Sequence, residues 1–286
     1  MGKKICVITG ANSGIGKQAA IQIAKKGYRV IIGCRNIERG NGALKDIKKI
    51  SASDDVEFIQ VDMSLKSSIR KFCKTINDQY NYIDVLIHNA ALFDISQKSP
   101  IKTAEGYESL WMTNHVGPVL MTKLLLNLLK KSVDGRILTV SSKGLLAMPM
   151  LKVDVEDPEF NHRSFSVTKA YYQSKRAQVM YTYWLAKALE KDGISVNSIR
   201  VTAVQVDMSR HQNISSLKKW IYKQKSKKSL TPKRMAETYV YLATSSDVKG
   251  VTGQYFDENN QGVSSSKYSK NLKNIENVMA LTDKYL

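Results

Sequence analysis

The sequence predicts a doubly wound α/β domain, a single sheet of parallel strands with helices on both faces. Three observations carry this: six short β-branched runs that are apolar on both faces, helical segments of ten or more residues between them, and a glycine-rich turn joining the first strand to the first helix. Strands apolar on both faces need cover on both sides, and long crossovers between consecutive strands force parallel, right-handed pairing. A chain of 286 residues can form one such domain. No internal repeat, no low-complexity linker and only five prolines interrupt it, so residues 1–286 are expected to fold as one unit.

In order, strands are expected over 4–9, 29–32, 56–60, 85–88, 136–140 and 195–201, with helices over 17–26 and 170–191 among the segments between them. The polar, lysine-rich stretch 209–229, which contains Leu217, Trp220 and Ile221, is the least sheet-like part and is expected to form a substrate lid. Residues 264–286 read as a C-terminal helical extension.

Composition narrows the function classes. With 43% hydrophobic and 24% charged residues the chain can bury a full core. The three cysteines, Cys6, Cys34 and Cys73, have no metal-site or disulfide spacing and are expected to be reduced thiols in the cytoplasm. No metal is expected, since the four histidines show no ligand spacing either. The apolar run at Ile5 begins too early for a signal peptide, and the stretch 116–129 is broken by Lys123 and Asn127, so neither export nor membrane insertion is expected. A net charge of +19 could attract a polyanion, but the lysines are dispersed, with one denser stretch over 218–233 and no interleaved aromatics. That pattern favours a solvated surface over a nucleic-acid interface.

The turn Thr9-Gly10-Ala11-Asn12-Ser13-Gly14-Ile15-Gly16 follows the first strand and opens the first helix, the context a dinucleotide pyrophosphate requires. Gly10 allows the sharp turn, Gly14 lets backbone approach the anion, Gly16 permits close helix packing, and the helix N-terminus directs free N–H groups at the phosphates. After the second strand the sequence reads Gly33-Cys34-Arg35-Asn36. An acid there would accept bonds from the adenosine ribose, whereas a guanidinium pairs with a 2′-phosphate. Arg35, with Arg39 and Lys17 as helpers, therefore points to NADPH rather than NADH.

Tyr171 and Lys175 lie four apart in a helical segment and so project from one face. A phenol is a poor acid or base at neutral pH, and a neighbouring ammonium is expected to lower its pKa toward the working range. Tyr172 is the adjacent competitor, about 100° away on the helix.

With these residues in place, the chain resembles the short-chain dehydrogenase/reductase superfamily, and within it the retinol dehydrogenase-like branch. The resemblance runs nearly end to end. It rests on the glycine turn, Cys34-Arg35-Asn36, Asp62, His88-Asn89-Ala90-Ala91, Asn114-His115-Val116-Gly117, Val140-Ser141-Ser142, Tyr171-Tyr172-Gln173-Ser174-Lys175 and Gly253-Gln254-Tyr255-Phe256. It implies a Rossmann-type fold and assigns roles. Tyr171 would protonate the substrate oxygen, Ser142 rather than Ser141 would stabilise that oxygen, and Lys175 would hold the nicotinamide ribose. Asn114 would support a proton-relay water and position Lys175, although capping backbone is an equal reading for it and for Asn89. The cofactor set implied is Gly10, Asn12, Ser13, Gly14, Ile15, Gly16, Arg35, Asp62, Met63, Asn89, Ala90, Tyr171, Lys175 and Thr202. A homo-oligomer built on the helices beginning near Gly117 and Ala170 is also implied, open to alteration by the C-terminal extension.

The match departs where the family has Pro-Gly and then threonine or serine after the sixth strand. Here the residues are Val201-Thr202 and Val206, which puts nicotinamide positioning in question, with Thr202 or Gln205 as substitutes. The run 145–151, with Phe93, Met208 and Trp220, suits a bulky apolar carbonyl substrate, core packing being the equal alternative. The expected activity is NADPH-dependent reduction of such a ketone or aldehyde to an alcohol. The alternative is a catalytically weak NADP(H)-binding sensor or interaction protein.

Overall fold

Every residue of Ile5–Thr9 (β1) is buried, which commits this strand to the centre of a sheet with cover on both faces. The computed structural model describes residues 2–205 and 229–286, and among them β1 is flanked by Arg29–Cys34 (β2) and Val85–His88 (β4). With Val56–Gln60 (β3), Arg136–Ser142 (β5), Ser195–Val201 (β6) and Tyr255–Phe256 (β7), the strands form one parallel seven-stranded sheet in the order β3-β2-β1-β4-β5-β6-β7. The chain reverses its direction of travel between β1 and β4, and that switch opens a crevice at the carboxyl ends of the strands.

Helices Gly14–Ala24 (α1) and Ile37–Ser51 (α2) follow β1 and β2, and Lys66–Gln79 (α3) follows β3. Asn36 caps α2, its side chain accepting from Arg39 N at 2.8 Å, so the chain turns sharply just past Arg35. After β4 come the short Ser109–Trp111 (α4), a wide π-type turn over Met112–Val116, and Gly117–Lys130 (α5). Val167–Ala188 (α6) starts at Ser166, whose side chain accepts from Lys169 N. Pro232–Thr244 (α7) covers the α1 side, and Lys267–Lys270 (α8) and Leu272–Asp283 (α9) close the C-terminal segment.

The single doubly wound fold is as the sequence predicts, with corrections at the ends of elements. β5 runs on to Ser142 because Ser141 and Ser142 continue the ladder against Arg200 and Val201. α6 starts three residues before the expected 170 because the Ser166 cap satisfies its first turn. β7 is absent from the sequence reading, since two residues carry no alternation. The proposed lid at 209–229, together with Val206, Met208, Leu217, Trp220 and Ile221, lies outside the described residues apart from Ser229.

The C-terminal segment packs back on the core. Ile275, Val278, Met279 and Leu281 of α9 join the apolar cluster that holds Trp111, Met180 and Tyr181. Thr282 Oγ1 donates to Val278 O at 2.7 Å, so the 2.8 Å contact with His115 Nε2 has the imidazole N–H as donor. His115 Nδ1 is thereby the acceptor for Gln178 Nε2 at 3.1 Å. Lys66 Nζ and Arg70 Nη2 reach the carbonyls of Tyr285 and Leu286 at 2.9 and 3.1 Å. Cys6, Cys34 and Cys73 are all buried and unpaired. Among the described residues no helix is long and apolar enough to cross a membrane.

Candidate active site

The first turn of α1 is built around two glycines in the left-handed region, Gly10 (φ +67°) and Gly14 (φ +56°). A Cβ on Gly10 would lie 2.7 Å from Ala90 Cα, and one on Gly16 would lie 2.3 Å from Asn89 Nδ2 and 2.7 Å from Gly10 O. Gly14 faces open space, with nothing within 4 Å of a built Cβ. Asn89 holds the turn from below, donating to Thr9 O at 2.9 Å and Gly10 O at 3.1 Å and accepting from the Tyr239 hydroxyl at 3.3 Å. Ser13 precedes α1 without a side-chain cap, so the N–H groups of the first turn remain available to an anion.

Above this turn a cleft of about 440 Å³ runs along the ends of β1, β2, β3 and β4. It is lined by every residue of the implied cofactor set except Tyr171, Lys175 and Thr202. Arg35 is 73% exposed along its side chain and stands 3.9 Å from Asp62 across the cleft wall. Arg39 lines the same wall, whereas Lys17 turns away to pair with Asp46 at 2.5 Å. Asp62 spends one carboxylate oxygen on Ser64, accepting from its N and Oγ at 2.9 and 2.7 Å. Ser64, Asn36 and Thr113 also line the cleft and were not assigned to the cofactor from the sequence. For Ser64 the signal was present in Asp62-x-Ser64, the spacing of an Asx turn.

Asn114 sits in the π-type turn, whose widened backbone projects it sideways. Its Oδ1 accepts from Leu92 N at 2.7 Å, and its Nδ2 donates to Leu92 O at 3.0 Å and to Ser174 Oγ at 3.1 Å. Asn114 thus clamps the cleft wall to the turn of α6 that carries Lys175, holding backbone and helix rather than bonding Lys175 directly.

Lys175 is buried and donates to Val140 O at 2.9 Å, and burial pushes its pKa down to about 8. Its Nζ lies 5.7 Å from the centre of the Tyr171 ring. The expected depression of the Tyr171 pKa is corrected here. Burial dominates and raises it above the usual phenol range; Tyr172 adds to the rise, while the Ser142 side chain pulls it down. Ser142 accepts from Gly144 N at 3.2 Å, whereas Ser141 is buried, donates to Lys175 O at 3.2 Å and faces the Tyr255 hydroxyl at 3.4 Å. Of the two serines, Ser142 is the one that meets Tyr171. Thr202 is half-buried just past β6.

The apolar wall beside Tyr171 keeps one of the expected residues, Phe93. Phe93 packs on the Tyr171 ring with centroids 4.5 Å apart, and Leu92 and Phe165 belong to the same small cluster. In the run 145–151, Leu145, Leu146 and Pro149 line a separate cavity with Arg176, and Met150 is exposed. His88 is buried with Nε2 2.7 Å from Thr122 Oγ1, and burial drops its pKa to about 3, a packed neutral imidazole.

A parallel sheet switched at β1/β4, a glycine turn under an open cleft and a Tyr-Lys pair on one helix define a dinucleotide-binding oxidoreductase class. Residues 4–152 match the family model described as short chain dehydrogenase, and residues 160–259 match that described as Enoyl-(Acyl carrier protein) reductase. Human retinol dehydrogenase 13 is 33% identical over 89% of this chain and 76% of its own length. Human retinol dehydrogenase 14 is 34% identical over 89% and 78%. The crystal structure of an uncharacterized protein from Mycobacterium paratuberculosis superposes with a TM-score of 0.73 at 25% identity, covering 99% of this chain and 92% of that one. A short chain dehydrogenase from Escherichia coli CFT073, complexed with NADPH, gives 0.68 at 23%, covering 90% and 97%. The chain belongs to the short-chain dehydrogenase/reductase family of oxidoreductases, on its retinol dehydrogenase-like side.

The turn geometry gives a direct expectation. Gly16→Val should cost about 1–3 kcal/mol in denaturant unfolding, because Gly10 O and the twice-anchored Asn89 amide cannot both retreat. Gly42, with nothing within 4 Å of a built Cβ, serves as the control position.

Proposed function

We propose that the protein is an NADPH-dependent reductase of a ketone or aldehyde carbonyl on a bulky, largely apolar molecule, with Tyr171 as the acid. The observation that carries this reading is the conjunction of the Arg35-walled cleft with Tyr171, Ser142 and Lys175 at the adjoining end of the sheet. The glycine cradle and the uncapped α1 N-terminus fit a pyrophosphate, and Arg35, with no acid at the end of β2, fits a 2′-phosphate. Asp62 and Met63 would border the adenine, Asn89 and Ala90 the central part of the cofactor, and Lys175 and Thr202 its nicotinamide end. When bound, the nicotinamide supplies the hydride that the protein lacks.

The chain's own residues then handle the oxygen. Burial keeps the Tyr171 hydroxyl protonated and ready to donate as negative charge grows on the substrate oxygen, and Ser142 adds a second donor at the same point. Phe93, Leu92 and Phe165 offer an apolar bed for the substrate body. The retinol dehydrogenase relatives are named for a long apolar alcohol, which agrees with a substrate of this class. Three buried, unpaired thiols support a cytoplasmic setting. A homo-oligomer on α5 and α6 would seat its partner beside α9, which already lies on α6.

The test is turnover of a panel of apolar aldehydes and ketones with NADPH and with NADH. Saturable NADPH binding with no Tyr171-dependent turnover would support the NADP(H)-sensor alternative instead. For the cofactor, Arg35→Asp should raise the KM for NADPH about 10–100-fold, the value of one lost charge-assisted pair of roughly 1.5–3 kcal/mol, with the KM for NADH little changed. Equal loss for both cofactors would count against a 2′-phosphate contact.

A further inference from the structure

Arg176 follows Ser174 by two residues, about 200° round α6, and so points away from Asn114 into a small cavity of about 170 Å³ under the C-terminal segment. The residue is 1% exposed. Nη1 donates to Ser266 Oγ at 2.8 Å and Nη2 to Met148 O at 2.8 Å, while Nε has no partner. Among the described residues no carboxylate stands within ion-pair distance of it. Burial pushes its pKa down, the direction expected of a cation with no counter-charge.

The hydroxyls around it are donors in waiting. Ser265 Oγ accepts from the Tyr183 hydroxyl at 2.8 Å and Ser264 Oγ from Lys270 Nζ at 3.3 Å, which leaves each with its own hydrogen to give. Ser269 Oγ shares one hydrogen bond with Ser266 Oγ at 2.9 Å. Leu145 and Val179 supply apolar walls that strengthen any charge interaction inside. A buried cation without its anion is costly, and a cavity far larger than the ~10–15 Å³ a single water needs stands beside this one.

We propose that this cavity binds a tetrahedral oxyanion, a phosphate or sulfate group, with Arg176 as counter-charge and Ser264, Ser265 and Ser269 as hydrogen-bond donors. It is separate from the dinucleotide cleft and does not depend on the reductase reading.

Titration calorimetry of the full chain with sodium phosphate and sodium sulfate, at ionic strength held constant with chloride, tests this. One saturable site is expected, weakened at least tenfold in Arg176→Leu, which puts an apolar side chain where a buried charge has no carboxylate among the described residues. The Ser265→Ala/Ser269→Ala double variant, which keeps the arginine and its packing, should weaken binding about threefold or more and decides the matter should Arg176→Leu fail to fold. Glycerol 3-phosphate against inorganic phosphate separates the sources: tighter ester binding marks a phosphorylated metabolite, tighter inorganic binding a free ion. Heats equal to those of chloride, affinity unchanged in the serine variant, or binding that disappears in Arg35→Ala and so belongs to the dinucleotide turn, would each overturn the proposal.

Discussion

Tyr171→Phe is expected to lower kcat for carbonyl reduction by about 10³-fold, within the 10²–10⁴ range of a single positioned acid, while NADPH affinity stays close to that of the unaltered protein. The asymmetry follows from position. The hydroxyl meets Ser142 and lies beside Phe93, outside the walls of the dinucleotide cleft, so its removal takes a proton donor and little binding surface. Tyr172→Phe is the matched control, because the Tyr172 hydroxyl packs over the Gly144 backbone instead. Steady-state kinetics with NADPH fluorescence titration measures both quantities. Equal losses in the two variants would remove Tyr171 from the chemistry.

Lys175→Met should divide activity from stability: turnover falls, by about 10²-fold or more if the amine holds the cofactor and supports the proton donor, while the melting temperature rises. The fold holds this amine at a pKa of about 8 against an ordinary value of 10.5, the cause being burial. An unfolded chain binds the proton below 10.5 and the folded one only below 8. Stability is therefore greatest above pH 10.5, declines as pH falls, and carries the full penalty below 8. That penalty is on the order of 3 kcal/mol. Losing the charge-assisted bond to Val140 O returns about 1.5 kcal/mol or more of it, so a net gain of at most about 1.5 kcal/mol is expected at pH 7, roughly 3 °C in Tm. In the proposed reaction activity runs the other way, since the protonated amine is the form that would act: kcat/KM for reduction should fall with a slope of one as pH rises through about 8. A thermal scan from pH 7 to 9.5 beside a pH–rate profile checks both signs, and a pH dependence of Tm that Lys175→Met leaves unaltered would show that the amine is not held against its solvation.

The pairings of sheet and helix were legible because the β-branched runs and the glycine turn each admit one local reading, and the parallel order follows from the crossovers. Tyr171 and Lys175 were legible as a pair from their four-residue spacing. Their electrostatics were not, because burial depends on what packs above α6, and that outweighs the nearby ammonium. The π-type turn at Met112–Val116 leaves no mark in hydrophobic periodicity, so the sideways reach of Asn114 to Leu92 and Ser174 appears only in three dimensions. The apolar run 145–151 read equally as a substrate border or as core packing, and in the fold Arg176 holds the carbonyls of Met148 and Pro149 on its own side of the helix. Arg176 itself looked like one basic residue among 44, and only its enclosure sets it apart.

Helix α9 has a bearing on how the molecule keeps to itself in solution. Thr282 grips His115, the residue next to Asn114, and Ile275, Val278 and Met279 shield the flank of α6. A chain ending at β7 would carry Ser142, Tyr171 and Lys175 yet leave that greasy flank bare to water. Deleting residues 264–286 would thus turn a sealed face into a sticky one, and the damage would surface as self-association rather than at the cofactor cleft, whose walls all lie between Gly10 and Thr113.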